Sequence, residues 1–168
     1  MTNKYMYFIA NWKMFGTLST LNSLHKVIKF FKIFKKKKSI KIVYCPPSTL
    51  IRPMTKKLKK SSIDVGAQNC HQNENFGAFT GYINPKMLKS VGANYVIIGH
   101  SENRYLGEDN KLINKKIKTA LKAGLKVIFC VGETLNQKKR KITQQILNKQ
   151  LKFGLDKIRD KKKNYNSL

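Results

Sequence analysis

The sequence predicts an α/β fold built from about five successive strand–helix units. Short runs rich in β-branched and aromatic residues alternate with longer amphipathic stretches. The short runs are apolar at consecutive positions, a pattern typical of parallel strands that are buried on both faces. No linker interrupts the alternation, so residues 1–168 are expected to form a single domain. Periodicity alone leaves two architectures open, a doubly wound sheet and a barrel.

Each element is predicted from its own pattern. The strand predictions are Tyr5–Ala10, Ile40–Cys45, Ile63–Ala67, Tyr95–Gly99 and Lys126–Cys130. The helix predictions are about Leu18–Phe34, Thr49–Lys60, Pro85–Val91, Asp109–Ala123 and Thr134–Lys163, with Gly154 as the position where the last helix could break.

The chain is strongly basic, with 35 Lys and Arg against 8 Asp and Glu and a net charge of +27. Such an excess would suit an anionic partner such as nucleic acid. Many of the lysines, including Lys35–Lys38 and Lys161–Lys163, fall on predicted helix surfaces or at helix ends, where a solvated basic face is the alternative. Because Arg is scarce and aromatic residues are not interleaved with it, we expect no specific nucleic-acid partner.

The cysteines and the hydropathy of the sequence indicate where in the cell the protein is expected. Cys45, Cys70 and Cys130 are odd in number and show no C-x-x-C spacing, so neither a disulfide framework nor a metal site is predicted. The first residues lack the pattern of a secretory signal, and no apolar run approaches the length of a membrane span. We therefore expect a cytoplasmic protein without a membrane partner.

Polar residues follow the predicted strands at the positions where parallel α/β folds bind ligands. Asn11 and Lys13 come after the first strand, Gln68 after the third, His100 after the fourth and Glu133 after the fifth. No Gly-rich phosphate cradle of the G-x-G-x-x-G or Walker type is present. This counts against a nucleotide-binding doubly wound fold.

Five short motifs, in this order and spacing, resemble those of the triosephosphate isomerase family. They are Asn11-Trp12-Lys13-Met14, Ala67-Gln68-Asn69, Gly77-Ala78-Phe79-Thr80-Gly81, Gly99-His100-Ser101-Glu102 and Cys130-Val131-Gly132-Glu133-Thr134. The resemblance covers residues 5 to about 135. It implies a (β/α)8 TIM barrel, present here as an incomplete barrel of about five βα units.

The resemblance also implies an activity. The family interconverts dihydroxyacetone phosphate and glyceraldehyde 3-phosphate through an enediolate, in glycolysis and gluconeogenesis, without a cofactor. By similarity, Lys13 is a catalytic and substrate-binding cation and Asn11 a polar contact beside it. His100 is the second catalytic residue, a neutral imidazole that polarises the substrate carbonyl. Glu102 is paired with Lys13 in the floor of the site.

Further residues receive supporting roles. Ser101 and Cys130 are expected to support the site, whereas Arg104 and Glu133 are expected to form structural ion pairs. The resemblance also implies a homodimer when the barrel is complete. In that dimer Thr80, within the long segment His71–Asn84, approaches the site of the partner subunit.

The family continues past residue 168 with a sixth strand and the general-base glutamate. We therefore expect that the catalytic base is missing from these 168 residues and that they do not isomerise triose phosphates alone. Five strands cannot close a barrel, so the first and the fifth are expected to be edges. Two alternatives remain, an inactive remnant and a basic nucleic-acid-binding protein on a βα scaffold.

Overall fold

The computed structural model describes residues 5–34 and 39–158. The strands are β1 (Met6–Asn11), β2 (Ile40–Cys45), β3 (Ile63–Ala67), β4 (Tyr95–Ile98) and β5 (Lys126–Phe129). A short 3-10 helix, Ser19–Ser23, precedes the first α-helix. The α-helices are α1 (Leu24–Ile33), α2 (Ser48–Leu58), α3 (Pro85–Ser90), α4 (Ser101–Tyr105), α5 (Asn110–Lys122), α6 (Leu135–Lys139) and α7 (Thr143–Gly154).

The five strands form one parallel sheet in the order β1-β2-β3-β4-β5. Six consecutive pairs join β1 to β2, from Met6 opposite Ile40 to Asn11 opposite Cys45. In a doubly wound sheet the strand order reverses at a switch point, whereas here every strand lies beside its predecessor in the sequence. The sheet is therefore the arc of a (β/α)8 barrel, and the predicted incomplete barrel of five βα units is confirmed.

The main core lies between the sheet and its helices. Ile113 and Ile117, one turn apart on α5, are fully buried in the same cluster as Val96 and Ile98 of β4. Burying a side chain of this size contributes roughly 1.5–3 kcal/mol. Because side chains alternate along a strand, the intervening residues face the opposite side of the sheet. There a smaller cluster is formed by Val43, Cys45, Tyr95 and Ile97.

The strands β1 and β5 are the edges of the sheet, as expected for five strands. Met6 and Phe8 of β1 are 62% and 52% exposed. Beside them a groove of about 500 Å³ runs between β1, β2 and α1, lined almost entirely by apolar side chains. The prediction that strands are buried on both faces is wrong for β1, whose first four residues are exposed because the strand lies at the edge of the sheet.

Two helix predictions need correction. The first helix begins at Leu24 rather than Leu18, because Ser19–Ser23 forms a 3-10 turn. The last predicted helix is two helices, since Lys141 adopts a positive φ of 56° between α6 and α7. The second of them, α7, ends at Gly154, the predicted position of a break. The predicted continuation over residues 159–163 lies outside the described residues.

None of the helices in the described part of the chain has the length and apolar character needed to cross a membrane.

Candidate active site

Lys13 lies in the loop that follows β1, and hydrogen bonds to its main chain fix its conformation. Its φ of 54° is uncommon for a residue other than glycine and costs on the order of 1–3 kcal/mol. Two hydrogen bonds hold this conformation. The Lys13 N–H donates to Asn11 Oδ1 at 3.0 Å, and Gln68 Nε2 donates to the Lys13 carbonyl at 2.7 Å. The direction of the Lys13 side chain is thus fixed from β1 and from the end of β3.

His100 follows β4 and caps the N-terminus of α4. The backbone N–H of Glu102 donates to His100 Nδ1 at 3.2 Å. This contact assigns the ring proton to Nε2, because Nδ1 acts as the acceptor. The Glu102 Oε2 atom lies farther from Nδ1, at 3.5 Å. The protonated Nε2 therefore points away from the helix.

The ammonium group of Lys13 lies close to the His100 ring at the carboxyl ends of the strands. Lys13 Nζ lies 3.4 Å from His100 Nε2, although 87 residues separate them in sequence. With the proton on Nε2, both nitrogens are donors and neither satisfies the other. Two donors this close form a pair that can bind a single oxygen atom carrying partial or full negative charge.

Glu102 forms an ion pair with Lys13, as the resemblance implies. Lys13 Nζ and Glu102 Oε1 are 2.7 Å apart. The hydrogen bond from Lys13 is the main cause that lowers the pKa of Glu102, and the positive charge of Lys13 adds to it. The carboxylate is therefore ionised at neutral pH and restrains the Lys13 side chain.

Arg104 connects the ends of β4 and β5. Its Nε donates to the Gly99 carbonyl at 2.7 Å and its Nη2 to the Cys130 carbonyl at 3.1 Å. Nη1 donates to Asn110 Oδ1 at 2.8 Å. Burial lowers the pKa of the Arg104 guanidinium. The residue preceding His100 is thereby tied to the neighbouring strand.

The loop after β5 is anchored to α7. Gln150, which is buried, accepts from the Gly132 N–H at 2.8 Å and donates to the Gly132 carbonyl at 2.7 Å. Glu133 Oε1 accepts from the Thr143 hydroxyl at 3.2 Å. The prediction that Arg104 and Glu133 form ion pairs is wrong within the described residues, because their partners there are backbone carbonyls, an amide and a hydroxyl.

A cavity of about 680 Å³ opens beside this loop at the β5 edge. His100, Ser101, Arg104 and Cys130 line one part of it, and Gln150 lines another. Ser101 begins α4 with an exposed side chain, and Cys130 directly follows β5. The structure thus places the predicted supporting residues Ser101 and Cys130 at the same end of the strands as His100.

The long segment between β3 and α3 is ordered by its own contacts. The ring of His71 packs against Phe79 and Tyr82, with centroids 4.6 and 4.8 Å away. The His71 N–H donates to the Ile83 carbonyl at 2.8 Å. Thr80, within this segment, is exposed. Its predicted role toward a partner subunit stays a prediction.

The three cysteines are free thiols. Burial raises the pKa of Cys45 to about 12, and the neighbouring Cys130 adds to this. Burial also raises the pKa of Cys70 to about 12. Within residues 5–34 and 39–158, no three His, Cys, Asp or Glu side chains are grouped so that they could hold a metal ion.

The sequence did not reveal which side chains hold the loops of the site in place. These side chains are Gln68, Arg104 and Gln150. Gln68 is noticeable in the sequence because it follows a buried strand and belongs to the Ala67-Gln68-Asn69 motif, but neither feature indicates its hydrogen-bond partners. All three act on backbone groups of distant loops. A partner that is a main-chain carbonyl leaves no residue-type signal in a sequence.

Comparison of the sequence with known proteins identifies the family of this chain. The family model for triosephosphate isomerase matches residues 6–166. The curated triosephosphate isomerase of Dictyoglomus thermophilum is 43% identical over 148 residues, which are 88% of this chain and 58% of that protein. The triosephosphate isomerase of Carboxydothermus hydrogenoformans is 44% identical over 150 residues, which are 88% of this chain and 59% of that protein.

A solved structure agrees with the sequence comparisons. The crystal structure of triosephosphate isomerase from Bartonella henselae superimposes with a TM-score of 0.82 at 35% identity, covering 90% of this chain and 61% of that one. The fold is that of a (β/α)-barrel protein, a class in which active sites lie at the carboxyl ends of the strands. The chain belongs to the triosephosphate isomerase family. It spans about three-fifths of the length of the relatives that it matches.

Proposed function

We propose that the protein to which this chain belongs is an intramolecular aldose–ketose isomerase that interconverts dihydroxyacetone phosphate and glyceraldehyde 3-phosphate. The observation that carries the proposal is the separation of 3.4 Å between Lys13 Nζ and His100 Nε2. The reaction needs donors at the carbonyl oxygen, where negative charge develops. The family membership of the chain supports the same substrate class.

The proposed reaction begins when a general base removes a proton from the carbon beside the substrate carbonyl. The C–H electron pair becomes the C=C bond of an enediolate, and the carbonyl oxygen takes up the negative charge. His100 donates through Nε2–H to that oxygen and moves protons between the two substrate oxygens. Return of a proton to the other carbon then completes the isomerisation.

Lys13 has two proposed tasks, to attract the phosphate dianion and to stabilise the developing oxyanion. Asn11 fixes the start of its loop, since Asn11 Oδ1 accepts from the Lys13 N–H. Glu102 positions the ammonium through the 2.7 Å ion pair. Ser101 and Cys130 are proposed to support the wall of the site next to His100.

The general base is proposed to come from the two-fifths of the family that this chain does not match. Glu102 is held by Lys13, and Glu133 accepts from Thr143. Both described carboxylates near the site therefore already have a partner, and each belongs to a different motif from the one that carries the family's base.

The proposal is tested by measuring the activity of a completed barrel. Residues 1–168 are joined to the remaining part of the Dictyoglomus thermophilum relative, expressed in a host without its own isomerase, purified and assayed in both directions with triose phosphates. We expect turnover by the joined protein and none by residues 1–168 alone. A folded joined protein without turnover would contradict the proposal and favour an inactive remnant. Turnover by residues 1–168 alone would contradict the proposed source of the base.

We further propose that the complete protein is a cytoplasmic homodimer of glycolysis and gluconeogenesis. The exposure of Thr80 and the packing of the His71 and Phe79 rings, with centroids 4.6 Å apart, support a role of this segment in contact with a second subunit. Sedimentation of the joined protein is expected to show a dimer. A fully active monomer at low concentration would contradict this assembly.

A further inference from the structure

Gly99, the residue between β4 and His100, has a backbone conformation that favours glycine. Its φ is 77°, in the left-handed region that other residues rarely adopt. A Cβ at this position would lie 3.0 Å from Arg104 Nη2 and 3.0 Å from the Cys130 carbonyl oxygen, so there is little space for a side chain. Because glycine adopts many other conformations as readily, neighbouring groups have to hold this one.

Arg104 holds the peptide group of Gly99. Its Nε donates to the Gly99 carbonyl at 2.7 Å, and its Nη2 donates to the Cys130 carbonyl at 3.1 Å. The Cys130 N–H donates to the Ile98 carbonyl at 2.9 Å, so β4 and β5 are paired up to the residue before Gly99. The guanidinium then donates to the two carbonyls that follow. Because its nitrogens lie in a rigid plane, it fixes these carbonyls relative to one another.

The same residue closes the first turn of α4. The Arg104 N–H donates to the His100 carbonyl at 3.0 Å, and the Glu102 N–H donates to His100 Nδ1. A helix of five residues has little stability of its own, so its contacts with the rest of the chain decide its orientation. Arg104 therefore holds His100 from two sides, at the preceding peptide through its side chain and at the His100 carbonyl through its main chain.

The charge of Arg104 distinguishes this anchor from the others of the site. Gln68 and Gln150 hold their loops with neutral amides. Arg104 is half-buried, and in the described part of the chain no carboxylate lies within ion-pair distance of it. Its partners are carbonyl and amide oxygens, and hydrogen bonds from a charged donor are stronger than those from a neutral amide. The strongest donor of the three anchors is thus the one next to His100.

We propose that Arg104 is a positioning residue, which fixes His100 Nε2 at 3.4 Å from Lys13 Nζ by holding the Gly99 carbonyl. The inference rests on the proposed isomerase function and gives Arg104 no contact with the substrate. Without the guanidinium the Gly99 peptide is free to rotate, and this rotation moves the ring of the next residue. Displacing a catalytic group by about 1 Å costs up to about 10²-fold in rate. Loss of Arg104 therefore lowers kcat, whereas Lys13 still binds the phosphate and maintains KM.

The test uses the joined protein with Arg104→Lys and, separately, Arg104→Ala. Lysine keeps the positive charge but has a single nitrogen in place of the planar fork. The matched controls are Arg52→Lys and Arg52→Ala, exposed substitutions on α2. Steady-state kinetics and the melting temperature are measured for all four variants. Histidine labelled with ¹⁵N, whose His100 signals are assigned by their absence in His100→Gln, reports on the ring by NMR without requiring turnover.

We expect Arg104→Lys to lower kcat about tenfold and Arg104→Ala about 10²-fold, with KM within about threefold of the parental value. Guanidinium ion, added below denaturing concentrations, should raise the kcat of Arg104→Ala and leave that of Arg52→Ala unchanged. The His100 ring signals should shift in both Arg104 variants and in neither Arg52 variant.

Near-parental kcat in the Arg104 variants, with or without a lower melting temperature, would overturn the proposal, because Arg104 would then only stabilise the fold. A lower kcat with unchanged His100 signals would also overturn it. If Arg104→Ala does not fold, Arg104→Lys decides between these outcomes. A parent joined protein without turnover would count against the isomerase function, while the ring signals would still decide whether Arg104 orients His100.

Discussion

The side-chain amide of Gln68 donates to the Lys13 carbonyl at 2.7 Å, so that the end of β3 holds the loop that follows β1. The same Nε2 atom lies 2.9 Å from the Cys45 carbonyl at the end of β2. One amide group thus joins the ends of three adjacent strands. The strained backbone of Lys13 is maintained by these contacts rather than by its own preference.

Replacing Gln68 with Leu should reduce turnover of the joined protein about tenfold. The change removes both hydrogen bonds, leaves the Lys13 and Cys45 carbonyls without this donor, and frees Lys13 to leave its positive φ. Steady-state kinetics provides the measurement, with Gln145→Leu on the exposed face of α7 as control. If Gln68→Leu lowered only the melting temperature and left kcat unchanged, Gln68 would be structural and would not position Lys13.

Replacing Lys13 with Met should lower kcat by about 10²- to 10³-fold, since one preorganised charge is removed from the transition state. KM for the triose phosphates should rise as well, because the phosphate loses its cation. Lys111→Met, an exposed substitution on α5, is the control and should leave both constants near the parental values. Near-parental turnover of Lys13→Met would refute the role given to Lys13.

The strands and most helices were predictable because burial imposes a hydrophobic pattern on them. β2 and β3 agree with their predictions at both ends, and α3 and α5 do so within about a residue. The break between α6 and α7 was not predictable, because Lys141 adopts a positive φ without being a glycine. The 3-10 turn at Ser19–Ser23 escaped prediction for a similar reason, since its apolar Leu21 fits a helical pattern equally well.

The motif residues of the site were predictable, whereas the side chains that anchor its loops were not. Motifs placed Lys13, His100 and Glu102 at strand ends, and the structure brings these three side chains into contact. The anchoring by Arg104 and Gln150 could not be predicted, since each acts on a main-chain group in a loop distant in sequence. Ion pairs were expected for Arg104 because charge is visible in a sequence and carbonyl geometry is not.

The thiol of Cys45 should resist alkylation in the folded protein. Its pKa is raised to about 12, chiefly by burial, so almost no thiolate is present at pH 8. Labelling at pH 8 followed by mass spectrometry should modify the half-buried Cys130 first and Cys45 only after denaturant is added. Cys45 reacting at the rate of a free thiol in native protein would show that the inner face of the sheet is open.

Replacing Gly154 with Ala should destabilise the chain by about 1–3 kcal/mol, because overpacking forces neighbouring groups to move. A Cβ at this position would collide with the ring of Phe129 on β5. The control is Gly132→Ala, whose Cβ would meet no atom within 4 Å. Urea unfolding of both variants is the measurement. Equal midpoints would show that α7 does not pack closely against β5.

The turnover of His100→Gln in the joined protein tests the isomerase proposal most directly. Glutamine keeps a polar side chain at the start of α4 but cannot move a proton between the two substrate oxygens. We expect kcat to fall by about 10²-fold or more, with a changed pH profile of kcat. Near-parental turnover and an unchanged pH profile would contradict the claim that His100 and Lys13 form the electrophilic half of the site.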